Sequence, residues 1–260
     1  MDLKEPPSYF ISDAHLGLHI NGCDAREEHL IGFLHKTILP GCNLFIVGDL
    51  FDFWIEYRRA IRPEYFNVLC ELKNLVKKNV EIHYLAGNHD FALGSFLENT
   101  IGIHIHTDHY TTQLQGKNIH LFHGDGLIKG DIGYRILKKI LRNPFNQKIY
   151  RVLHPDIGVP LGSFCSGSSR KVTSNFITEN ILQEYRNQAH KFLDNGDDIV
   201  VFGHTHRAEI RHWNKKTYCN TGEWIHSYTF AKLEDGIMSL WRYIPGEKPV
   251  AITESLQNTH

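Results

Sequence analysis

Five times along this chain a short apolar run ends in a compact polar motif. The runs cover residues 9–12, 44–47, 80–85, 119–122 and 199–202. They lead into Asp13-Ala14-His15, Gly48-Asp49-Leu50-Phe51-Asp52, Gly87-Asn88-His89-Asp90, His123-Gly124-Asp125 and Gly203-His204-Thr205-His206. Short runs rich in β-branched and aromatic residues and bounded by turn-forming residues predict strands buried on both faces. Each motif then sits at the C-terminal end of a strand, where α/β sheets place their sites. Helical spacing at 26–38 and 64–78 separates the first three runs, so the first half reads β-α-β-α-β. After Gly203 the strand-like pieces 209–213, 217–220, 228–233 and 238–243 predict a second, mostly antiparallel sheet.

With 260 residues, 42 % of them hydrophobic, the chain can bury the core of one large α/β domain, 1–260. Residues 126–196 interrupt the plan with a basic helical stretch at 132–142, another at 147–153, a Gly/Ser-rich link and a long helix at 172–193. They read as a helical cap inserted within that domain. A net charge of −1 gives no global basic field for nucleic acid, so recognition of a polyanion has to be local. Five widely spaced cysteines without a CxxC pair argue against a disulfide framework and a thiolate zinc site. The N-terminus MDLKEPPSYFISD has no basic end and no long apolar run of a signal peptide. The expected compartment is therefore cytoplasmic. No stretch approaches the roughly 18 apolar residues of a membrane span, so membrane contact is expected to be peripheral.

Buried Asp, His and Asn at five strand ends need partners and counter-charges. Two divalent cations would supply them, and a mixture of carboxylate, imidazole and amide oxygen suits manganese, iron or zinc better than calcium or magnesium. His19, His83, His104, His106, His109 and His120 match no motif and read as surface or strand-face residues.

In order and type, the motifs DxH, GDxxD, GNHD, a lone His and GHxH resemble the calcineurin-like metallophosphoesterase superfamily, over residues 13–206. The resemblance implies a four-layer α/β/β/α sandwich. It implies that Asp13, His15, Asp49 and His206 hold one metal ion and that Asp49, Asn88, His123 and His204 hold the other. Asp49 would be the bridge, and a hydroxide formed between the two divalent ions, Mn2+ with Fe2+ or Zn2+ as alternatives, would attack phosphorus. His89 would stabilise the developing charge or protonate the leaving oxygen, with Asp90 orienting it and Asp52 orienting a ligand histidine.

Within that superfamily the segments FISDAHLGL, VGDLFDFW, GNHDFALG, HGDGL and VFGHTHR look most like the UDP-2,3-diacylglucosamine pyrophosphatases of lipid A biosynthesis. The reaction this implies is hydrolysis of a pyrophosphate to UMP and 2,3-diacylglucosamine 1-phosphate. The implied partner is a nucleotide-linked glycolipid met at the inner membrane face, with no stable nucleic-acid partner. Asn88 and His204 would also touch substrate, together with Ser169, Arg170 and Lys171 of the cap, while Lys138, Lys139 and Arg142 would attract anionic lipid. In the best-known branch of that family an arginine follows the ligand asparagine. His89 stands there in this chain, as in generic phosphoesterases, which leaves a phosphomonoesterase or phosphodiesterase acting on a nucleotide or nucleic acid as the alternative. A non-catalytic scaffold would have lost ligands, and here every one of them is present.

Overall fold

The computed structural model describes residues 5–18, 25–128, 132–163 and 178–252. In chain order the elements are β1 (Ser8–Ile11), α1 (Arg26–Thr37), β2 (Asn43–Val47), α2 (Phe66–Lys77), β3 (Glu81–Leu85), β4 (His104–His106), β5 (Tyr110–Leu114) and β6 (Lys117–Phe122). Among the described residues four inserted helices follow: α3 (Ile132–Arg142), α4 (Pro144–Tyr150), α5 (155–163) and α6 (Glu179–Asp194). The chain continues as β7 (Ile199–Phe202), β8 (Glu209–Trp213), β9 (Lys216–Asn220), β10 (Thr229–Glu234), β11 (Ile237–Arg242) and β12 (Val250–Ile252).

Side chains alternate across a strand, so a strand that is apolar throughout must feed two cores. Tyr9, Ile11, Leu44 and Ile46 point to one side and pack with Leu30, Phe33 and Leu34 of α1 and Val68, Leu72 and Leu75 of α2. Phe10, Phe45, Val47 and Leu85 point to the other and meet Ile119, Leu121, Ile199, Val201 and Cys219 between the sheets. The rings of Phe10 and Phe45 stack there at 4.9 Å. Val200, Phe202 and Tyr218 face outward and are covered by Tyr185, Ala189 and Leu193 of α6. The outcome is the expected α/β/β/α sandwich, with each large side chain in these cores contributing about 1.5–3 kcal/mol by leaving water.

The first sheet runs β12-β11-β10-β1-β2-β3-β4 and the second β5-β6-β7-β9-β8. Strands β1 to β4 are mutually parallel, as are β6, β7 and β9, so the motif-bearing ends of β1, β2 and β3 lie together, as do those of β6 and β7. The second sheet differs from the mostly antiparallel one expected. The late strands divide between the sheets: β8 and β9 join β7, while β10 and β11 join β1. Each pair is a hairpin, and Asp235-Gly236, both at positive φ, turns the second one. Turn chemistry of this kind sets the pairing within a hairpin but not the sheet edge on which the hairpin docks.

Of the inserted helices, α6 is the outer layer on the second sheet. Helix α5 seats on the loop that follows Asp52: Gly158 is buried against Tyr57 and Gly162 against Phe53, and a Cβ would collide with the Tyr57 hydroxyl at the first position and with the Phe53 ring at the second. Phe53, Trp54, Tyr57, Ile61, Pro155 and Val159 line a cavity of about 430 Å³ between that loop and α5. Ile136, Ile140, Phe145, Ile149, Ile157 and Leu161 of α3 to α5 are exposed. Among the described residues no helix is long and apolar enough to cross a membrane.

Candidate metal centre

The chain turns sharply where β1, β2 and β7 end, and the turns put side chains rather than backbone at the centre. Asp13, His15, Asp49, His204 and His206 all have positive φ, between 45° and 67°. A left-handed residue other than glycine costs about 1–2 kcal/mol, so five of them in one place are strain held by the surrounding fold. The glycines of the motifs serve proximity. A Cβ on Gly87 would collide with the Asp49 carboxylate, and one on Gly203 would lie 2.6 Å from Ser12 Oγ.

Among the described residues three groups of ligand-type atoms result. Asp13, His15 and His206 form the first, Asp49, His123 and His204 the second. In the first, His206 Nε2 lies 3.3 Å from Asp13 Oδ1 and 3.3 Å from His15 Nε2. In the second, His123 Nε2 lies 3.3 Å from Asp49 Oδ2 and 3.0 Å from the amide oxygen of Asn88. Asp49 Oδ2 is also 3.8 Å from His15 Nε2, so one carboxylate oxygen faces both groups. His15, Asp52 and His89 make a third group that shares His15 with the first.

The second atoms of these side chains are anchored. His123 Nδ1 donates to the Val47 carbonyl at 2.8 Å, which leaves Nε2 to face the centre. Asp13 Oδ2 accepts from the backbone N–H of His204 at 2.9 Å and from the Ser12 hydroxyl, which in turn lies 2.6 Å from Thr221 Oγ1. Asp49 Oδ1 accepts from the backbone N–H of His89 at 2.9 Å. By contrast Asp13 Oδ1 and His15 Nδ1 are buried and make no hydrogen bond.

His89 is buried, its Nδ1 3.2 Å from the Asp52 carbonyl oxygen and its Nε2 4.0 Å from Asp49 Oδ2. The Asp52 carboxylate stands 3.8 Å from His15 Nδ1 and 4.0 Å from His89 Nδ1. Asp90, expected to orient His89, has its oxygens taken up elsewhere. Oδ1 accepts from the N–H groups of Gly87 at 2.9 Å and Asp49 at 3.2 Å, and Oδ2 from the N–H of Phe51 at 3.2 Å and the Tyr84 hydroxyl. It is a clamp on backbone, and the orienting contact to His89 comes from Asp52.

Residues 6–208 match the calcineurin-like phosphoesterase family. This chain belongs to that family. The phosphoesterase is 30 % identical over 241 residues to a UDP-2,3-diacylglucosamine hydrolase of Porphyromonas gingivalis, covering 86 % of this chain and 92 % of the relative. It is 28 % identical over 237 residues to a UDP-2,3-diacylglucosamine hydrolase of Photorhabdus laumondii, covering 89 % and 96 %. Fold and ligand clusters together make it a metal-dependent phosphoesterase.

Electrostatics in the phosphoesterase fit divalent cations. Burial favours neutral Asp13 and Asp49, but histidine charge outweighs it: His206 and then His123 hold Asp13 at about 2, while His123 and His89 hold Asp49 well below the usual carboxylate range. Reciprocally, against the effect of burial, Asp49 lifts His123 to about 10 and Asp13 lifts His206. Burial and the neighbouring His123 charge push His204 down to about 4. The carboxylates thus draw protons onto His123 and His206, and divalent cations would take the place of those protons.

Asp125 is a buried neighbour of the centre that motif reasoning passed over, although it stands in the motif His123-Gly124-Asp125. It is buried, and Lys138 Nζ of α3 lies 2.7 Å from its Oδ2, with Arg142 Nη2 at 3.6 Å. Burial favours its neutral form, yet His123, Lys138 and Arg142 hold it below the usual range. Lys138 and Arg142, read from sequence as outward-facing cations, turn inward because a buried carboxylate and bare strand-end carbonyls need donors; Lys139 stays exposed. Ser169, Arg170 and Lys171 lie outside the described residues.

Proposed function

We propose that this phosphoesterase hydrolyses the pyrophosphate of UDP-2,3-diacylglucosamine to UMP and 2,3-diacylglucosamine 1-phosphate. The observation that carries the chemistry is Asp49 Oδ2, which faces His123 on one side and His15 on the other, the position of a carboxylate shared by two cations. Asp13, His15, Asp49 and His206 would hold one ion, and Asp49, Asn88, His123 and His204 the second, with manganese the metal to test first and iron or zinc the alternatives. When bound, such a pair supplies Lewis acidity to phosphoryl oxygens and an activated water. His89, held by the Asp52 carbonyl, keeps Nε2 toward the centre, where it can donate a proton to a leaving oxygen. Asn88 and His204, at the rim, and Ser169, Arg170 and Lys171 are the candidates for substrate contact.

The substrate rests on the relatives and on the cap. A cavity of about 430 Å³ begins one residue beyond Asp52 and has aromatic and aliphatic walls suited to acyl chains. The exposed apolar residues of α3 to α5 support peripheral contact with a membrane in which such a lipid resides, reached from the cytoplasmic side. The test is release of UMP from UDP-2,3-diacylglucosamine by manganese-loaded protein, run beside a nitrophenyl phosphodiester. Fast cleavage of the lipid nucleotide with feeble generic turnover is the expected result. The reverse would keep the metal chemistry and discard the substrate.

A further inference from the structure

Helix α3 belongs to the insertion, yet one side chain at its C-terminal end reaches the peptide that carries Asn88. Arg142 is largely covered, with its side chain 19 % exposed. Nη2 donates to the Gly87 carbonyl at 3.1 Å and to the Ala86 carbonyl at 3.4 Å, and Nη1 to the Thr107 carbonyl at 2.7 Å. Its charge is met by Asp125 at 3.6 Å and Asp108 at 3.9 Å. One guanidinium therefore ties together the end of β3, the crossover from the first sheet to the second, and the loop after β6.

The Gly87 carbonyl belongs to the same planar unit as the Asn88 N–H, so fixing that oxygen fixes the plane from which Asn88 departs. The same turn is held on its other side, where the Gly87 N–H donates to Asp90. Clamped from both sides, it delivers Asn88 Oδ1 to 3.0 Å from His123 Nε2 and the His89 N–H to 2.9 Å from Asp49 Oδ1. Lys138, one helical turn before Arg142, makes the companion contact: Nζ lies 2.7 Å from Asp125 Oδ2 and donates to the Asp125 carbonyl at 3.3 Å, two residues beyond His123.

We propose that Arg142 is a positioning residue for the metal centre: by bridging the Gly87 and Thr107 carbonyls it sets the Gly87–Asn88 peptide, so that the alignment of Asn88 and His89 depends on the seating of α3. A planar fork with several fixed donors is the group suited to two carbonyls on different segments, and a lysine, with one charged nitrogen, cannot hold both in the same geometry. The inference rests on the reading of Asn88 as a ligand and His89 as a proton donor, and is independent of which phosphoester is cleaved.

The test compares Arg142→Met, Arg142→Lys, Arg142→Ala and Lys148→Met with the parent on a soluble nitrophenyl phosphodiester, with metal content and melting temperature measured in parallel. Lys148→Met removes an exposed charge from the neighbouring helix α4 and should behave as the parent. Loss of a group that orients a ligand typically costs about 10-fold to 100-fold in activity or metal affinity. Arg142→Met should lose that much in kcat with KM within about twofold, Arg142→Lys should fall between the two, and guanidinium far below denaturing concentrations should restore part of the rate to Arg142→Ala. Unchanged kcat in Arg142→Met overturns the proposal. So does a loss that follows the melting temperature and is not relieved by guanidinium, because Arg142 would then only hold the helix down. If Arg142→Met does not fold, Arg142→Lys decides, and parent-like kcat there counts against the proposal. Asn88→Ala separates the two levels: full activity in it removes the reading of the site, whereas an inactive Asn88→Ala beside a parent-like Arg142→Met removes only the role of Arg142.

Discussion

Replacing Asp90 separates a backbone clamp from a charged residue that happens to lie near a metal centre. Asp90 is fully buried, and its carboxylate accepts from three backbone N–H groups, those of Gly87, Asp49 and Phe51, and from the Tyr84 hydroxyl. A buried donor left without its acceptor costs about 1–3 kcal/mol. Asp90→Ala strands three amides, and with a water entering the vacated space to satisfy part of them the loss should be about 3–6 kcal/mol, a large share of the about 5–15 kcal/mol that holds an ordinary domain together. Asp90→Asn keeps one oxygen for Gly87 and Asp49 but turns an NH2 toward the Phe51 N–H, while the Tyr84 hydroxyl can rotate to accept. One hydrogen bond is lost and two donors oppose, so about 1–3 kcal/mol is expected. Tyr84→Phe removes only the hydroxyl donor and should cost no more than about 1.5 kcal/mol. Urea unfolding followed by the fluorescence of the buried Trp54 and Trp224 gives the three stabilities, and a manganese titration gives the effect on the Asp49 side of the centre, where a drop of about 10-fold to 100-fold in affinity should accompany Asp90→Ala. If the Asn and Ala variants both unfold within about 0.5 kcal/mol of the parent, a shift ordinary for a surface substitution, and bind metal equally well, the clamp is refuted.

Asp49→Ala should abolish hydrolysis and remove metal from both positions, since one oxygen of Asp49 faces both ligand groups; two bound equivalents by elemental analysis would contradict the shared role. His89→Ala should slow turnover while metal content stays near that of the parent, and metal loss in this variant would make His89 a ligand. Away from the centre, burial and then the neighbouring His106 and His104 lower His83 from 6.5 to about 4 in the folded chain. Its Nδ1 lies 3.0 Å from His106 Nε2, Phe45 and Tyr110 stack on its ring, and Glu81 stands by His104 at the exposed margin. Because the folded value lies below the unfolded one, the unfolded chain binds the extra proton; the contribution of His83 is intact above pH 6.5 and is lost as the pH falls toward 4. His83→Phe should therefore flatten the fall in urea midpoint between pH 7 and pH 5, and an equally steep fall would assign the acid sensitivity to other groups.

The amino-acid sequence by itself determined the parts of this protein that depend on residues close together in the chain. Apolar runs such as Phe10 with its neighbours and Leu44 to Val47 need cover on both faces wherever they lie, so strands and layers could be read from them. A motif such as Asp13-Ala14-His15 brings its own turn and its own ligand-type side chains, so the five motifs mark out a candidate centre from local sequence alone. Distance in sequence is where this stops. The hairpins β8-β9 and β10-β11 carry similar local signals, and only the shapes of the two half-built sheets sent one to β7 and the other to β1. Asp90 and Asp52 each stand in a motif, but which of them faces His89 depends on how the ends of β2 and β3 sit against each other. Arg142 and Lys138 read as outward cations on an amphipathic helix because Asp125 and the Gly87 carbonyl, the buried groups that need their donors, come from strands of different sheets and meet the helix only once the sandwich has closed.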